Sequence, residues 1–222
     1  MKIKKIPVAN PDITYREVKA VTKTISSGWI TMGNKVIEFE KNVAKFLNVK
    51  HAIAINNGTS ALDVILSALE IKPGDEIIVP TLTYISTANV VLYKNAKLIL
   101  CDSDEKTFNT TFDLIKKKIS KKTKLIIVTD MKGMPLNYDE LKNINKLFKI
   151  PIIIDSAESF SAKYKGSPVG KQFLAHTFSF FANKNITTGE GGMVVTNNDK
   201  LEKKLRIILN QGQNRRYNHI ML

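Results

Sequence analysis

The sequence predicts an α/β fold: a mostly parallel seven-stranded sheet with helices on both faces. Three observations carry this expectation. Seven short β-rich runs punctuate the chain, most of them almost continuously apolar, as strands covered on both faces are. Helical patterns separate the first five, the alternation that builds parallel sheets through crossover connections. The last two runs follow one another with no helix between them, so the sheet is expected to be mixed.

The elements can be taken in order. Residues 15–26 and 35–47 read as helices on either side of Gly28-Trp29-Ile30-Thr31-Met32-Gly33. The first strand is expected at 52–56. Gly58-Thr59-Ser60 then opens a helix over 60–69, with Thr59 or Ser60 as its cap. Lys72-Pro73-Gly74-Asp75 is a turn leading to a strand at 76–80, a helix at 86–93 and a strand at 97–102. A helix at 112–119, a strand at 124–129, a helix at 138–148 and a strand at 152–155 repeat the alternation. Strands at 177–181 and 192–196 follow. A helix at 199–209 then places Leu201, Leu205 and Leu209 on one stripe. Residues 210–222 read as loop, an abrupt ending that fits a fragment, and no repeat, low-complexity linker or internal boundary divides the chain.

Composition bounds the function. The 222 residues suffice for one domain with a real core, and 43% hydrophobic and 8% aromatic residues exclude a disordered chain. No apolar run is long enough to span a bilayer, and Met1-Lys2-Ile3-Lys4-Lys5 leads into no long apolar stretch, so a cytoplasmic location is expected. The lone Cys101, in a run that reads as a buried strand, cannot form an internal disulfide, and His51, His176 and His219 are scattered, so no metal site is expected. The net charge of +14 comes almost wholly from lysines spread over helix faces, such as Lys116, Lys117, Lys118, Lys121 and Lys122. Without zinc-finger spacing or an aromatic RNA-binding signature, that charge reads as solvated surface rather than a nucleic-acid site. It would also draw in an anionic small substrate.

Ligands of open α/β sheets sit beyond the carboxyl ends of the strands, and several polar residues fall there. Gly58, Thr59 and Ser60 form a candidate phosphate cradle at a helix start, although a plain N-cap reads the same way. Tyr84, after the second strand, is either a rim aromatic or a ring that stacks on a flat heterocycle. Asp155 ends a strand of three isoleucines and is either a turn acid or a buried partner for a basic nitrogen, with Glu158 close by. Lys184 stands before Thr187-Thr188-Gly189-Glu190-Gly191-Gly192, a stretch that demands turn geometry. A turn lysine that condenses with an aldehyde, and a strand-end acid that keeps a pyridine nitrogen protonated, are what pyridoxal phosphate (PLP) chemistry requires. The ordered set of cradle, aromatic, acid and lysine is more specific than any member.

These motifs resemble the DegT/DnrJ/EryC1/StrS family of PLP-dependent nucleotide-sugar aminotransferases, of fold type I. The similarity covers Pro11 to the C-terminus and rests on Gly28-Trp29, residues 57–62, 80–84, 155–158, 163–166 and 179–192. The run 183–193 is most similar to the perosamine synthases. The resemblance implies that residues 1–222 are the PLP-binding large domain, without the family's small C-terminal domain. It implies Lys184 and Asp155 as catalytic residues, with Asp155 on the pyridine nitrogen, Tyr84 on the ring and Glu158 near the phenolic oxygen. Thr59, Ser60 and Ser179, with Gly58, would hold the phosphate. An amino acid, typically glutamate, would give its amino group to a nucleotide-linked keto-deoxysugar, GDP-4-keto-6-deoxymannose by the perosamine likeness. A homodimer completed by a C-terminal domain is implied too. The related dehydratases carry His where Lys184 stands. A non-catalytic remnant or partner subunit that keeps the fold is the alternative. The chain departs from the family at Asp130 and Lys132, where a His and an aromatic usually precede the glycine, which bears on contacts to the sugar.

Overall fold

The structure is a computed structural model that describes residues 6, 7, 9–215 and 217–221. The N-terminal run 1–5 and Arg216 therefore lie outside the described residues. Two helices, α1 (Tyr15–Ser26) and α2 (Asn34–Leu47), precede β1 (His51–Ile55) and α3 (Gly58–Ala68). Then come β2 (Glu76–Pro80), α4 (Ser86–Tyr93), β3 (Lys97–Cys101), α5 (Phe112–Lys116), β4 (Thr123–Thr129) and a short 3-10 turn at Met131–Gly133. Next, α6 (Tyr138–Phe148) and β5 (Ile152–Asp155) lead to a small hairpin of β6 (Lys163–Tyr164) and β7 (Ser167–Pro168). The chain continues through β8 (Ala175–Ser179), β9 (Gly192–Thr196), α7 (Asp199–Leu209), β10 (Gln213–Arg215) and β11 (Asn218–His219).

Seven strands form one sheet in the order β1-β9-β8-β5-β4-β2-β3. Only β9 runs against its neighbours, pairing antiparallel with β1 and β8, while β8, β5, β4, β2 and β3 pair in parallel. Period-two alternation sends successive residues to opposite faces. Ile126, Val128, Ile152, Ile154 and Phe178 pack with Val43 and Leu47 of α2 and Leu141 and Ile144 of α6. Leu125, Ile127, Ile153 and Val194 pack with Ile65 of α3, Val90 of α4 and Leu205 of α7. Both faces are therefore dry, which is why the central strands carry almost no polar side chain until their carboxyl ends. An ion pair ties the two ends of the chain's core: Arg206 of α7 donates to both carboxylate oxygens of the buried Glu40 at 2.9 Å each, and Glu40 also accepts from the Ala54 amide at 2.8 Å.

The expected sheet, its strand count and its single reversal are present. Three local expectations differ. The strand expected at 177–181 lies at Ala175–Ser179, because β8 takes its register from β5, with Asp155 opposite Thr177. The third strand is the sheet edge rather than a buried strand: Cys101 is buried, but Leu100 is exposed. The tail expected as loop forms the β10–β11 hairpin, anchored where the amides of Ile220 and Met221 donate to the Gly212 carbonyl. Helix α1 buries none of its residues and leaves Val18, Val21 and Ile25 exposed. Among the described residues no helix is long and apolar enough to cross a membrane, and no cluster of His, Cys, Asp or Glu could hold a metal ion.

Candidate active site

Asp155 is the last residue of β5, and alternation turns it, like Ile153, toward the face covered by α3 and α4. It is 5% exposed. Its Oδ2 accepts from Thr87 Oγ1 at 2.7 Å and its Oδ1 from the Ala157 amide at 3.2 Å. Burial pushes the carboxyl above the usual range. The Thr87 hydroxyl, the Ala157 amide and the charge of Lys184 pull it down, and Glu158 adds to the rise.

Lys184 stands in the 181–191 loop, whose two ends close on Phe180. The Phe180 amide donates to the Gly191 carbonyl at 2.8 Å, and the Thr188 amide and Thr187 Oγ1 donate to the Phe180 carbonyl at 3.0 Å. Asn185 Nδ2 fastens the loop to the Phe160 carbonyl at 2.9 Å. The loop cannot drift from the sheet. A Cβ on Gly192 would come within 2.3 Å of the Asn57 carbonyl, so only glycine lets β9 start against the β1–α3 turn. The Lys184 side chain is 21% exposed, and its Nζ lies 4.0 Å from Glu158 Oε1. The other oxygen, Oε2, accepts from the Lys132 amide at 2.9 Å. A pocket of about 230 Å³ opens between Lys132, Glu158, Asn183, Lys184 and Asn185.

The cradle differs in one detail from the expectation. Helix α3 starts at Gly58, and its cap is Asn57, whose side chain accepts from the Ser60 amide at 2.8 Å. Thr59 and Ser60 thus lie inside the first turn. Among the described residues their hydroxyls, and the amides of Gly58 and Thr59, have no hydrogen-bond partner. Ser179, ending β8, closes over this turn: a Cβ on Gly58 would sit 3.2 Å from Ser179 Cβ. Two groups are therefore assembled: Gly58 with Ser179, and Asp155 and Glu158 around Lys184. Tyr84 is 74% exposed in the β2–α4 loop, and among the described residues its side chain makes no hydrogen bond to either group. Its carbonyl accepts from the Thr87 amide at 3.0 Å.

Sequence reading missed Thr87, Thr83 and Thr129. Thr83 Oγ1 lies 3.0 Å from Thr87 Oγ1 and 2.8 Å from Thr129 Oγ1, so a line of hydroxyls reaches Asp155. The usable signal was the sheet register, which sets Thr129 opposite Asp155. Asp130 is likewise not a surface residue facing a sugar. It is fully buried and accepts from Tyr138 Oη at 2.8 and 2.9 Å, Ser156 Oγ at 2.9 Å, Ser159 Oγ at 2.8 Å and the Leu136 amide at 3.2 Å. Of the two departures, only Lys132 lines the pocket.

The description of the DegT/DnrJ/EryC1/StrS aminotransferase family matches residues 11–222. The chain belongs to that family. Pyridoxal phosphate is the family's cofactor. The chain is 43% identical over 216 residues to a GDP-perosamine synthase of Caulobacter vibrioides, a match covering 96% of this chain and 58% of that protein. The chain thus spans rather more than half the length of that curated relative. Among solved structures, the PLP form of Spr1654 from Streptococcus pneumoniae superposes with a TM-score of 0.90 at 34% identity, covering 96% of this chain and 60% of that one. A GDP-4-keto-6-deoxymannose-3-dehydratase with bound GDP-perosamine gives a TM-score of 0.86 at 30% identity, over 92% of this chain and 54% of that one. The family member described here has residues that fit the cofactor. Free amides and hydroxyls at the start of α3 suit a phosphate. The buried hydroxyl of Thr177, beside Asp155 in the sheet, has no partner among the described residues. A buried carboxylate at the carboxyl end of β5 and a lysine whose charge reaches it stand together.

Proposed function

We propose that residues 1–222 are the PLP-binding large domain of a nucleotide-sugar aminotransferase, which moves an amino group from glutamate to a GDP-linked keto-deoxysugar in glycan synthesis. The observation that carries the reading is the convergence of a buried strand-end Asp155 and a loop-held Lys184 beside Glu158. The cofactor would supply the electron sink that makes the substrate's alpha proton removable. In this reading the first turn of α3, through Gly58, Thr59 and Ser60, binds the phosphate together with Ser179. Asp155 would pair with the pyridine nitrogen, Glu158 would stand near the phenolic oxygen and Tyr84 would stack on the ring. Lys184 would be the amine that holds the aldehyde and the base that moves the substrate's alpha proton.

The likeness to the Caulobacter vibrioides enzyme supports the GDP-sugar substrate. A homodimer belongs to the same proposal, supported by the exposed apolar side chains of Tyr84, Phe181, Ile186 and Trp29. So does a cytoplasmic location, supported by the nucleotide-sugar substrate class. The test is borohydride reduction of the chain with PLP, followed by peptide mass spectrometry. A pyridoxyl label on Lys184 that prior glutamate removes supports the transferase. A label that glutamate cannot displace points to the remnant that keeps the fold without turnover, and no label on Lys184 refutes the cofactor site.

A further inference from the structure

We propose that Thr87, backed by Thr83 and Thr129, is a positioning residue that holds Asp155 ionised and correctly turned to receive the cofactor's pyridine nitrogen. The inference rests on the cofactor reading above. Its basis is proton accounting. An ionised carboxylate only accepts, and each threonine hydroxyl has a single proton to give. With Thr87 Oγ1 2.7 Å from Asp155 Oδ2, the proton of Thr87 is committed to Asp155. Thr87 can then only accept from Thr83, at 3.0 Å, and Thr83 in turn accepts from Thr129, at 2.8 Å. The line runs one way, Thr129 to Thr83 to Thr87 to Asp155, and each donation polarises the next. A protonated Asp155 would need to donate somewhere, and the line offers it an acceptor only by reversing.

Burial makes the arrangement consequential. Thr87 is 0% exposed, so water cannot replace its hydroxyl. The charged groups that bear on Asp155 are Lys184 and Glu158. The neighbouring elements place hydroxyls beside it: Thr87 from α4, Thr129 from β4, and from β8 Thr177, which has no partner among the described residues. Thr87 on Oδ2 and the Ala157 amide on Oδ1 pin both oxygens, so the carboxylate cannot rotate without losing two bonds. The Thr87 amide also donates to the Tyr84 carbonyl. One short segment therefore sets both the acid and the backbone from which the ring of Tyr84 projects.

The experiment is a titration of Asp155 in the cofactor-free chain carrying carbon-13 at its aspartate carboxyls, with Asp155→Asn to assign the resonance. Thr87→Val should raise the Asp155 midpoint by about one pH unit, since a donor to the charged form is lost. Thr87→Ser, which keeps the hydroxyl, should leave it in place. Thr129→Val should shift it in the same direction by less, and this variant serves if Thr87→Val does not fold. An unmoved midpoint in the valine variants, or a Thr87→Ser midpoint displaced as far as that of Thr87→Val, overturns the proposal. Because no cofactor is present, this result is distinct from the labelling test: an unlabelled wild-type Lys184 sinks the cofactor reading and leaves the titration to be judged by itself.

Discussion

Asp130 and His176 share Ser156 in the core behind the site, and their burial should make them act in opposite directions in the pH dependence of stability, Asp130 offsetting part of what His176 costs. Burial pushes the Asp130 carboxyl up to about 6, against 3.8 ordinarily, although Tyr138, Ser159, Ser156 and the Leu136 amide all donate to it. Burial also drives His176 down to about 3 from 6.5. Ser156 Oγ donates to Asp130, so His176 Nδ1, 2.9 Å away, must carry the proton that Ser156 accepts. This leaves Nε2 as a bare buried lone pair. The signs are opposite. Between pH 6 and 4 the folded chain keeps a proton on Asp130 that the unfolded chain releases, so acidification stabilises. Between pH 6.5 and 3 the unfolded chain takes a proton on His176 that the folded chain refuses, so acidification destabilises. From pH 7 to 5, His176 costs about 2 kcal/mol and Asp130 returns about 1.3 kcal/mol. Asp130→Asn removes the return. Its stability should fall from pH 7 to 5 by about 1.3 kcal/mol more than that of the wild type, read by urea unfolding at the two pH values. Every other titrating group contributes to both slopes and drops out of the difference. Parallel slopes would refute the reasoning, whatever the absolute stability of the variant.

Three further outcomes follow from the geometry. Gly192→Ala forces a methyl onto the Asn57 carbonyl and the Gly58 amide, at 2.3 and 2.8 Å; backbone cannot step aside, so a loss of about 3 kcal/mol in urea unfolding is expected. Glu40→Ala strands the Ala54 amide and leaves Arg206 with Glu202 and the Ala52 carbonyl, and should cost about 2 kcal/mol, the half-exposed arginine softening the penalty. Lys184→Ala should abolish the borohydride-fixed PLP label, whereas Asp155→Ala should keep a weaker label that glutamate no longer displaces; mass spectrometry of the reduced peptide distinguishes them.

Much of the fold was legible because it follows from local rules. The near-continuous apolar runs at Glu76–Pro80 and Ile152–Asp155 could only be strands covered on both faces, and the bounds agree. The absent helix between the last two strands correctly announced the reversal of β9. What escaped depended on register and on competition between neighbours. Asn57 outcompeted Thr59 and Ser60 for the cap because its side chain reaches the third helical amide, a choice that the run of cap-compatible residues from Asn56 to Ser60 leaves open. The β8 boundary moved because the partner strand, not the apolar run, fixes where pairing starts. Lys184, Glu158 and Asp155 were singled out by type and position, and the structure gathers them. Thr87 was invisible: nothing distinguishes a threonine that opens a helix from one that feeds a carboxylate 68 residues away.

Three carboxylates occupy this small region, and their surroundings separate their roles. Asp130 is enclosed by hydroxyls and ties the turn after β4 to the turn after β5. Asp155 meets one hydroxyl line and one amide, a lighter set of donors that leaves lone pairs for a ligand. Glu158 is half exposed and faces Lys184. The two turns press together so closely that a Cβ on Gly133, at φ +78°, would sit 2.8 Å from the Glu158 carbonyl. Because Asp130 points inward and Lys132 donates its amide to Glu158 while lining the pocket, the two departures from the family pattern act differently. The aspartate is a structural hub, buried away from the pocket. The lysine brings a positive charge to the pocket that Lys184 also lines, one suited to an anionic group.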